Sequence, residues 1–189
     1  MIKYLRMMAM ISIFAIAAGC QMNQSTSASS AKVANAEMDR DANAALQSLY
    51  AKTPQARALA QRAKGILVFP DVLKAGLIAG AQHGEGELIE SGKVTGYYAT
   101  TAASYGLQAG VQRFGYVMFF MTYSAMNDLK KANGFEVGVG PSIVVVDSGI
   151  AKSLTTSTAH SDVYAFIFDQ KGLMAGLGLQ GSKITKLSR

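Results

Sequence analysis

The chain has 189 residues, a formal net charge of +6, one cysteine and no tryptophan. A lone cysteine excludes an intrachain disulfide, so the hydrophobic core alone must hold the fold. Removing Lys3 and Arg6 with an N-terminal leader leaves 16 of the 18 basic residues against 12 acidic ones, a net charge of +4. That excess is too mild to indicate a nucleic-acid-binding protein. About 150 remaining residues suffice for one domain.

Residues 1–19 have the pattern of a targeting segment. Two basic residues supply a positive start, and residues 7–18 are an apolar run of signal-peptide rather than membrane-spanning length. The small residues Ala17 to Gly19 then directly precede Cys20. This segment resembles the lipobox of bacterial lipoproteins, in which the cysteine is lipidated and its freed amine is acylated. An ordinary secretory signal peptide is the alternative.

The lipobox resemblance implies a palmitate-type acyl anchor on Cys20 in membrane phospholipid. Gln21 follows the cysteine, which in Gram-negative lipoproteins is typical of transport to the outer membrane. The expected location is therefore the periplasmic face of the outer membrane. Residues 20–34 are small and polar without apolar periodicity, which predicts a flexible tether to a single domain over residues 35–189.

Three helices are predicted. From Ala36 the apolar residues recur at the spacing of one buried helix face. Its members are Met38, Ala42, Ala45, Leu46 and Leu49. Thr53-Pro54 is typical of a helix start, with Gly65 as the expected end. Ser124 is the expected cap of a third helix, inserted among strands, that Gly134 would end.

The stretch Lys64–Gly92 organises the rest of the chain. It predicts a strand, a break at Pro70-Asp71, a long glycine-rich strand and a turn at Ser91-Gly92. Along Ala75–Gly86 the odd positions are mostly small and apolar, and the even positions are mainly glycine, so one strand face is nearly without side chains. That pattern indicates curvature or a close backbone approach, and we expect this face to pack against the helices. A glycine zipper between membrane helices is excluded because the apolar run is too short.

Further short strands follow. They are predicted at Val94–Thr101, Tyr105–Gln112, Tyr116–Met121, Phe135–Val139, Ser142–Val146, Val163–Phe168 and Leu173–Leu179. A turn at Asp169–Gly172 is expected to join the last two, and residues 147–162 read as a loop. Helices first and hairpin-linked strands afterwards predict an α+β fold. Two N-terminal helices and one inserted helix accompany a strongly coiled antiparallel sheet of Gly-rich strands, with barrel-like closure left open.

Five segments carry a family resemblance. They are KGILVFP at 64–70, Lys74-Ala75-Gly76, Gly84-Glu85-Gly86, GLQAG at 106–110 and GLMAGLGLQGSKI at 172–184. In this order and spacing they resemble the SYLF domain, over roughly residues 35–189. Eukaryotic members of that family bind phosphoinositides and regulate actin, so the resemblance implies lipid binding. Actin is not expected as a partner in a bacterial envelope.

Basic residues cluster near the start of the domain and are the predicted contacts for anionic lipid headgroups. They are Lys52, Arg57, Arg62, Lys64 and Lys74. A second basic group lies near the C-terminus, at Lys171, Lys183, Lys186 and Arg189. A solvated helix face and a frayed tail are the alternative interpretations of the two groups.

Catalysis has little support in the sequence. His160-Ser161-Asp162 has the residue types of a triad, but consecutive residues point in different directions, so a polar turn is expected. The other histidine, His83, has no zinc-ligand spacing to His160. No glycine-rich loop carries the lysine and hydroxyl of a P-loop. We therefore expect a non-enzymatic protein without metal or cofactor.

The leading hypothesis is a membrane-anchored lipoprotein of the bacterial envelope that binds phospholipid, of the phosphoinositide type or another anionic kind. The alternative is a non-enzymatic envelope scaffold that binds a protein partner through its sheet or an open strand edge. Nucleic acid is not expected as a partner.

Overall fold

The computed structural model describes residues 21–131, 135–136, 142–146 and 161–188. The chain divides into two compact units, Met1–Glu37 and Met38–Arg189. The helices are α1 (Gln21–Lys52), α2 (Pro54–Ala60) and α3 (Tyr123–Lys130). The strands are β1 (Gly65–Gly76), β2 (Ala79–Glu90), β3 (Lys93–Phe120), β4 (Phe135–Glu136), β5 (Ile143–Val146) and β6 (Val163–Lys186).

Helix α1 begins at Gln21, within the segment 20–34 for which the sequence predicts a tether from Cys20. The role of that segment as a tether stays a prediction. The sequence of α1 contains neither proline nor glycine, and nothing in it breaks a helix. None of residues 29–37 is buried. Cys20 lies outside the described residues.

In the second unit, α1 buries the face that its periodicity predicts, through Ala42, Leu46 and Leu49. Helix α2 starts at Pro54 as predicted but ends at Ala60, before the expected Gly65. The two helices share one core with the sheet. Its large members are Leu46, Leu49, Leu59, Val68, Val117, Phe119, Tyr164 and Phe166.

Helix α3 packs against the other side of the sheet. Thr122 caps it by accepting a hydrogen bond from the Ala125 backbone N–H at 3.3 Å, so the cap lies two residues before the expected Ser124. Met126 and Leu129 join a second core. Its strand members include Leu67, Phe69, Leu88, Met118 and Phe120. We call the side with Val117 and Phe119 the helix face, and the side with Met118 and Phe120 the reverse face.

The six described strands form one sheet in the order β1-β2-β3-β6-β4, with β5 also paired to β6. All pairs are antiparallel except β5 with β6. The α+β fold with an inserted helix is confirmed, but the sheet is neither closed nor strongly curled, so the strong coiling and the barrel-like alternative are wrong. Closure would need β6 to return to β1. Instead β6 pairs with the short strands β4 and β5, and β1 pairs with β2 and β3.

Strand β3 replaces three predicted strands. Its first part, Lys93–Tyr105, pairs with β2, and its last part, Gly110–Phe120, pairs with β1. Gly106 and Gly110 have φ of +149° and +142°, which side-chain-bearing residues rarely adopt, and they mark the change of partner. The Gly106 N–H donates to the Ile78 carbonyl at 2.9 Å. The changeover therefore lies at the tip of the β1–β2 hairpin.

The long strand predicted over Ala75–Gly86 is split by that hairpin. Strand β1 ends at Gly76, Leu77 and Ile78 form the turn, and Gly80 lies opposite Gly76. A Cβ on Gly76 would lie 2.7 Å from the Gly80 Cα, so the tight turn needs glycine there. This turn could not be predicted, because Leu-Ile is not a turn dipeptide.

Three register shifts lie side by side across β1, β3 and β6, at Pro70-Asp71, Phe114-Gly115 and Asp169-Gln170. We call this row the bulge line. The break predicted at residues 70–71 and the turn predicted at 169–172 are therefore bulges within continuous strands. Positive φ is needed at Gly172 (+90°), as expected, but also at Asp169 (+54°). Asp169 is held by the Ser48 hydroxyl at 2.6 Å and by an ion pair with Lys52 on α1.

The buried glycines of β2 lie on the reverse face beside the β1 bulge. A Cβ at Gly86 would overlap the Val68 carbonyl oxygen and come within 2.6 Å of the Phe69 ring. At Gly84 it would come within 2.8 Å of Val72. These glycines therefore admit the neighbouring strand, on the face of the sheet that packs against α3 rather than against α1 and α2.

Candidate functional site

The part of the helix face beyond the bulge line is exposed and apolar. The tip of the hairpin bears Leu77, 69% exposed, and the adjoining strands bear Tyr105, 73% exposed, and Leu173, 87% exposed. We call this region the tip surface. It comprises Leu73, Ala75, Leu77, Ile78, Ala81, Tyr105, Val111 and Leu173.

Strand register places these residues on one continuous surface. Ala75 of β1 lies opposite Val111 of β3, which in turn lies opposite Leu173 of β6. On its other side Ala75 lies opposite Ala81 of β2. Cross-strand partners share a face, so four strands contribute to one patch. Contiguous exposed apolar side chains of this kind mark interaction sites.

Basic side chains border the tip surface on the same face. Arg113 lies opposite Leu73 and Lys171, and Lys183 lies opposite Thr101. The Arg113 guanidinium donates to Asp71 at 2.8 Å, yet its side chain remains 60% exposed. We call Arg113, Lys171 and Lys183 the basic rim. It joins residues more than 50 positions apart in the chain, through the β3–β6 register.

The basic residues predicted to bind headgroups fall in two places. Four of them lie where α1 ends and α2 passes into β1, the fifth well along β1. Lys52 pairs with Asp169. The charges of Arg57 and Lys64 lie over the rings of Tyr50 and Tyr123, at 5.3 and 5.4 Å from the ring centroids.

Lys74 is separated from the other four. It lies ten residues beyond Lys64 along an extended strand, a distance of about 30 Å. It also lies opposite Gln82 and Gln112, on the reverse face rather than on the tip surface. The headgroup role of Lys52, Arg57, Arg62, Lys64 and Lys74 stays a prediction, and they do not form one cluster.

A buried carboxyl lies under α1, and sequence reasoning missed it. Glu87 is 0% exposed, and neither of its carboxyl oxygens meets a hydrogen-bond donor in the described part of the chain. Burial, with a smaller contribution from the neighbouring Asp39 carboxyl, raises the pKa of Glu87 to about 8. Asp39 also accepts a hydrogen bond from the Tyr97 hydroxyl at 3.0 Å. Neutral Glu87 therefore carries a proton that it can share with Asp39.

The suspected triad residues have other roles or are not described. Asp162 accepts hydrogen bonds from the Ser142 N–H at 3.2 Å and from its hydroxyl at 3.0 Å, which lower the pKa of Asp162. It therefore fastens the start of β5. His160 lies outside the described residues, and His83 is exposed. Across the residues that the structure describes, no three acidic, histidine or cysteine side chains are grouped to hold a metal ion. No described helix has the length and apolarity to cross a membrane.

Comparison with known families matches residues 101–188 to Ysc84, described as a Las17-binding protein actin regulator. Over those residues the chain is similar to the Ysc84/SYLF family. The two resembling segments at 106–110 and 172–184 lie inside the match, and the three before residue 101 lie outside it, so the match covers less than the expected residues 35–189. No curated protein matches the chain.

The Ysc84 match separates the two sets of basic residues. It contains Tyr105, Val111 and Leu173 of the tip surface and the whole basic rim. All five predicted headgroup residues precede it. The basic rim therefore lies wholly within the matched part of the chain, whereas the tip surface draws residues from both the matched part and the part before it.

Proposed function

We propose that the protein is a membrane-lipid-binding domain that docks on an anionic bilayer through the tip surface and the basic rim. The observation that supports this most is the union of exposed leucine and tyrosine side chains with flanking cations on one sheet face. Apolar side chains with a cationic border suit a bilayer, where headgroups carry the charge and acyl chains lie beneath.

The magnitudes are adequate for peripheral binding. Burying one leucine fully is worth about 1.5–3 kcal/mol, and the tip offers Leu77 and Leu173 in prominent positions. Each basic side chain near an anionic surface adds about 1 kcal/mol, an effect that salt screens. Binding by this surface alone is therefore expected to be reversible and salt-dependent.

An acyl anchor would keep the tip surface close to one membrane. We propose, as the leader sequence suggests, an envelope lipoprotein attached through Cys20 to the outer membrane and facing the periplasm. Multiple acyl chains hold a protein stably where one chain does not. The tip surface then acts on the membrane to which the chain is already tied, by binding rather than by catalysis.

The test is vesicle co-sedimentation of the chain from residue 20 onward carrying Cys20→Ser, so that neither leader nor acyl anchor contributes. We expect binding to phosphatidylglycerol-containing vesicles at low salt, weaker binding at high salt, and little binding to phosphatidylcholine vesicles. Equal binding to both, or none to either, contradicts the proposal. Absence of vesicle binding together with tip-dependent capture of a purified envelope protein would favour the scaffold alternative.

A further inference from the structure

The reverse face of the sheet contains a cavity of about 150 Å³. Its lining comes from β2, β3, β5 and β6. The lining residues are Gln82, Thr100, Phe114, Tyr116, Val145, Ile167 and Ser182. An apolar protein cavity of this volume admits one benzene-sized molecule.

The largely buried side chain of Tyr116 forms part of the cavity wall. Tyr116 is 8% exposed and stacks on Phe69, with ring centroids 6.0 Å apart. Its hydroxyl is not among the described side-chain atoms that are shut off from solvent without a partner, so it is accessible from the cavity. Burial of the ring raises the pKa of Tyr116 to about 12. The hydroxyl stays protonated near neutral pH and is available as a donor.

The remaining lining divides by chemistry. Gln82, Thr100 and Ser182 are polar, and register places Gln82 and Ser182 on either side of Ala102. Val145 and Ile167 are apolar, and they are 51% and 40% exposed. Because these two side chains reach both the cavity and solvent, they line the way in.

We propose that this cavity binds a small amphiphile, with a benzene-sized apolar body and one hydroxyl or carbonyl oxygen that pairs with the Tyr116 hydroxyl. The apolar body meets Phe114, Val145 and Ile167. This site lies on the face opposite the tip surface, so the inference does not rest on membrane docking.

Phenol and toluene are suitable probes because they have nearly the same shape and differ in a hydroxyl against a methyl group. Each is titrated into the ¹⁵N-labelled chain from residue 20 onward with Cys20→Ser, which keeps both hydrophobic cores, and dissociation constants are read from amide shifts. We expect saturable shifts at Gln82, Thr100 and Tyr116 for phenol. In Tyr116→Phe the preference for phenol over toluene should fall about fivefold, the worth of one hydrogen bond.

Two further measurements keep the proposal falsifiable. Tyr116→Phe should leave the melting temperature of the ligand-free protein close to that of the unaltered chain, which shows that the variant folds. Ile167→Trp should weaken both probes at least tenfold by filling the entrance. Shifts that rise linearly without saturation, an unchanged phenol preference in Tyr116→Phe, or unaltered binding in Ile167→Trp would each overturn the proposal.

Discussion

The two ends of the helix face are built from the same strands but differ sharply in solvent exposure. Before the bulge line, Val117, Phe119 and Phe166 are buried under α1 and α2. Beyond it, the same face of β1, β3 and β6 carries Leu73, Val111 and Leu173, all exposed. The covered end is explained by the fold. The exposed leucines do not belong to either core. We therefore propose that they contact a partner outside the chain.

Gly86→Ala should cause the largest effect, and on the covered end. The new methyl group would overlap the Val68 carbonyl, and backbone cannot move aside cheaply. We expect the free energy of unfolding to fall by about 3 kcal/mol or more in urea denaturation. Ala81→Val, exposed on the same strand, is the control and should change it by less than about 0.5 kcal/mol. Equal effects of the two variants would show that no close approach exists at Gly86.

The double variant Leu77→Asp, Leu173→Asp should damage the exposed end without damaging the fold. Losing two membrane-buried leucines is expected to weaken binding to anionic vesicles about 100-fold, with little change in melting temperature. Val94→Asp, at an exposed apolar residue outside the tip surface, is the matched control and should bind like the unaltered protein. Vesicle affinity that survives the double variant would remove the tip surface from the account.

The covered end should respond to pH through Glu87. Its folded pKa of about 8 lies above the ordinary value of 4.5, so the folded protein keeps a proton that the unfolded chain releases. Stability is therefore fully present below pH 4.5 and is lost as pH rises towards 8, by at most about 1.4 kcal/mol per pH unit. Urea denaturation at pH 6 and pH 8 measures this loss.

Glu87→Gln supplies the control for the pH response. The amide has the same shape and no titrating proton, so stability in this variant should differ less between pH 6 and pH 8. Asp39→Asn should shrink the difference by a smaller amount, because burial contributes more than Asp39 to the raised pKa. A pH dependence that is identical in Glu87→Gln and the unaltered protein would assign the effect to other groups.

Two charge reversals of equal size compare the rival sets of basic residues. Lys171→Glu with Lys183→Glu alters the basic rim, and Arg57→Glu with Arg62→Glu alters the predicted headgroup set. We expect the first pair to weaken anionic-vesicle binding about tenfold and the second about twofold or less. The reverse order would place the lipid site at the N-terminal helices.

Local patterns in the sequence predicted much of the covered end. The buried face of α1 follows from its spacing. The strand predicted at Tyr116–Met121, apolar on both faces, is confirmed as far as Phe120, with β1 and β6 as neighbours on its two sides. The bulge line was missed because a bulge depends on the register of a partner strand. The residue types at Pro70-Asp71 and at Asp169 to Gly172 suit a turn and a bulge equally well. They therefore do not distinguish a chain that reverses direction from a strand that continues with one extra residue.

The candidate site was harder to predict for the same reason. Arg113 and Lys171 become neighbours only through strand pairing across 58 residues, so Lys171 looked like part of a frayed tail. Leu77 was predicted to lie on the apolar face of a long strand, whereas the structure places it, largely exposed, in the turn of the β1–β2 hairpin. The burial of Glu87 and its closeness to Asp39 arise only when distant parts of the chain meet, so no local pattern pointed to Glu87.

The most direct test of the central claim is the membrane depth of the hairpin tip. A nitroxide label is placed at Leu77→Cys, and separately at Val94→Cys, in the Cys20→Ser chain bound to anionic vesicles, and its collision rates with oxygen and with a water-soluble nickel complex are measured. The account predicts that vesicles shield the label at residue 77 from nickel and expose it to oxygen, while the label at residue 94 stays in water. Nickel accessibility at residue 77 that vesicles leave unchanged would contradict it.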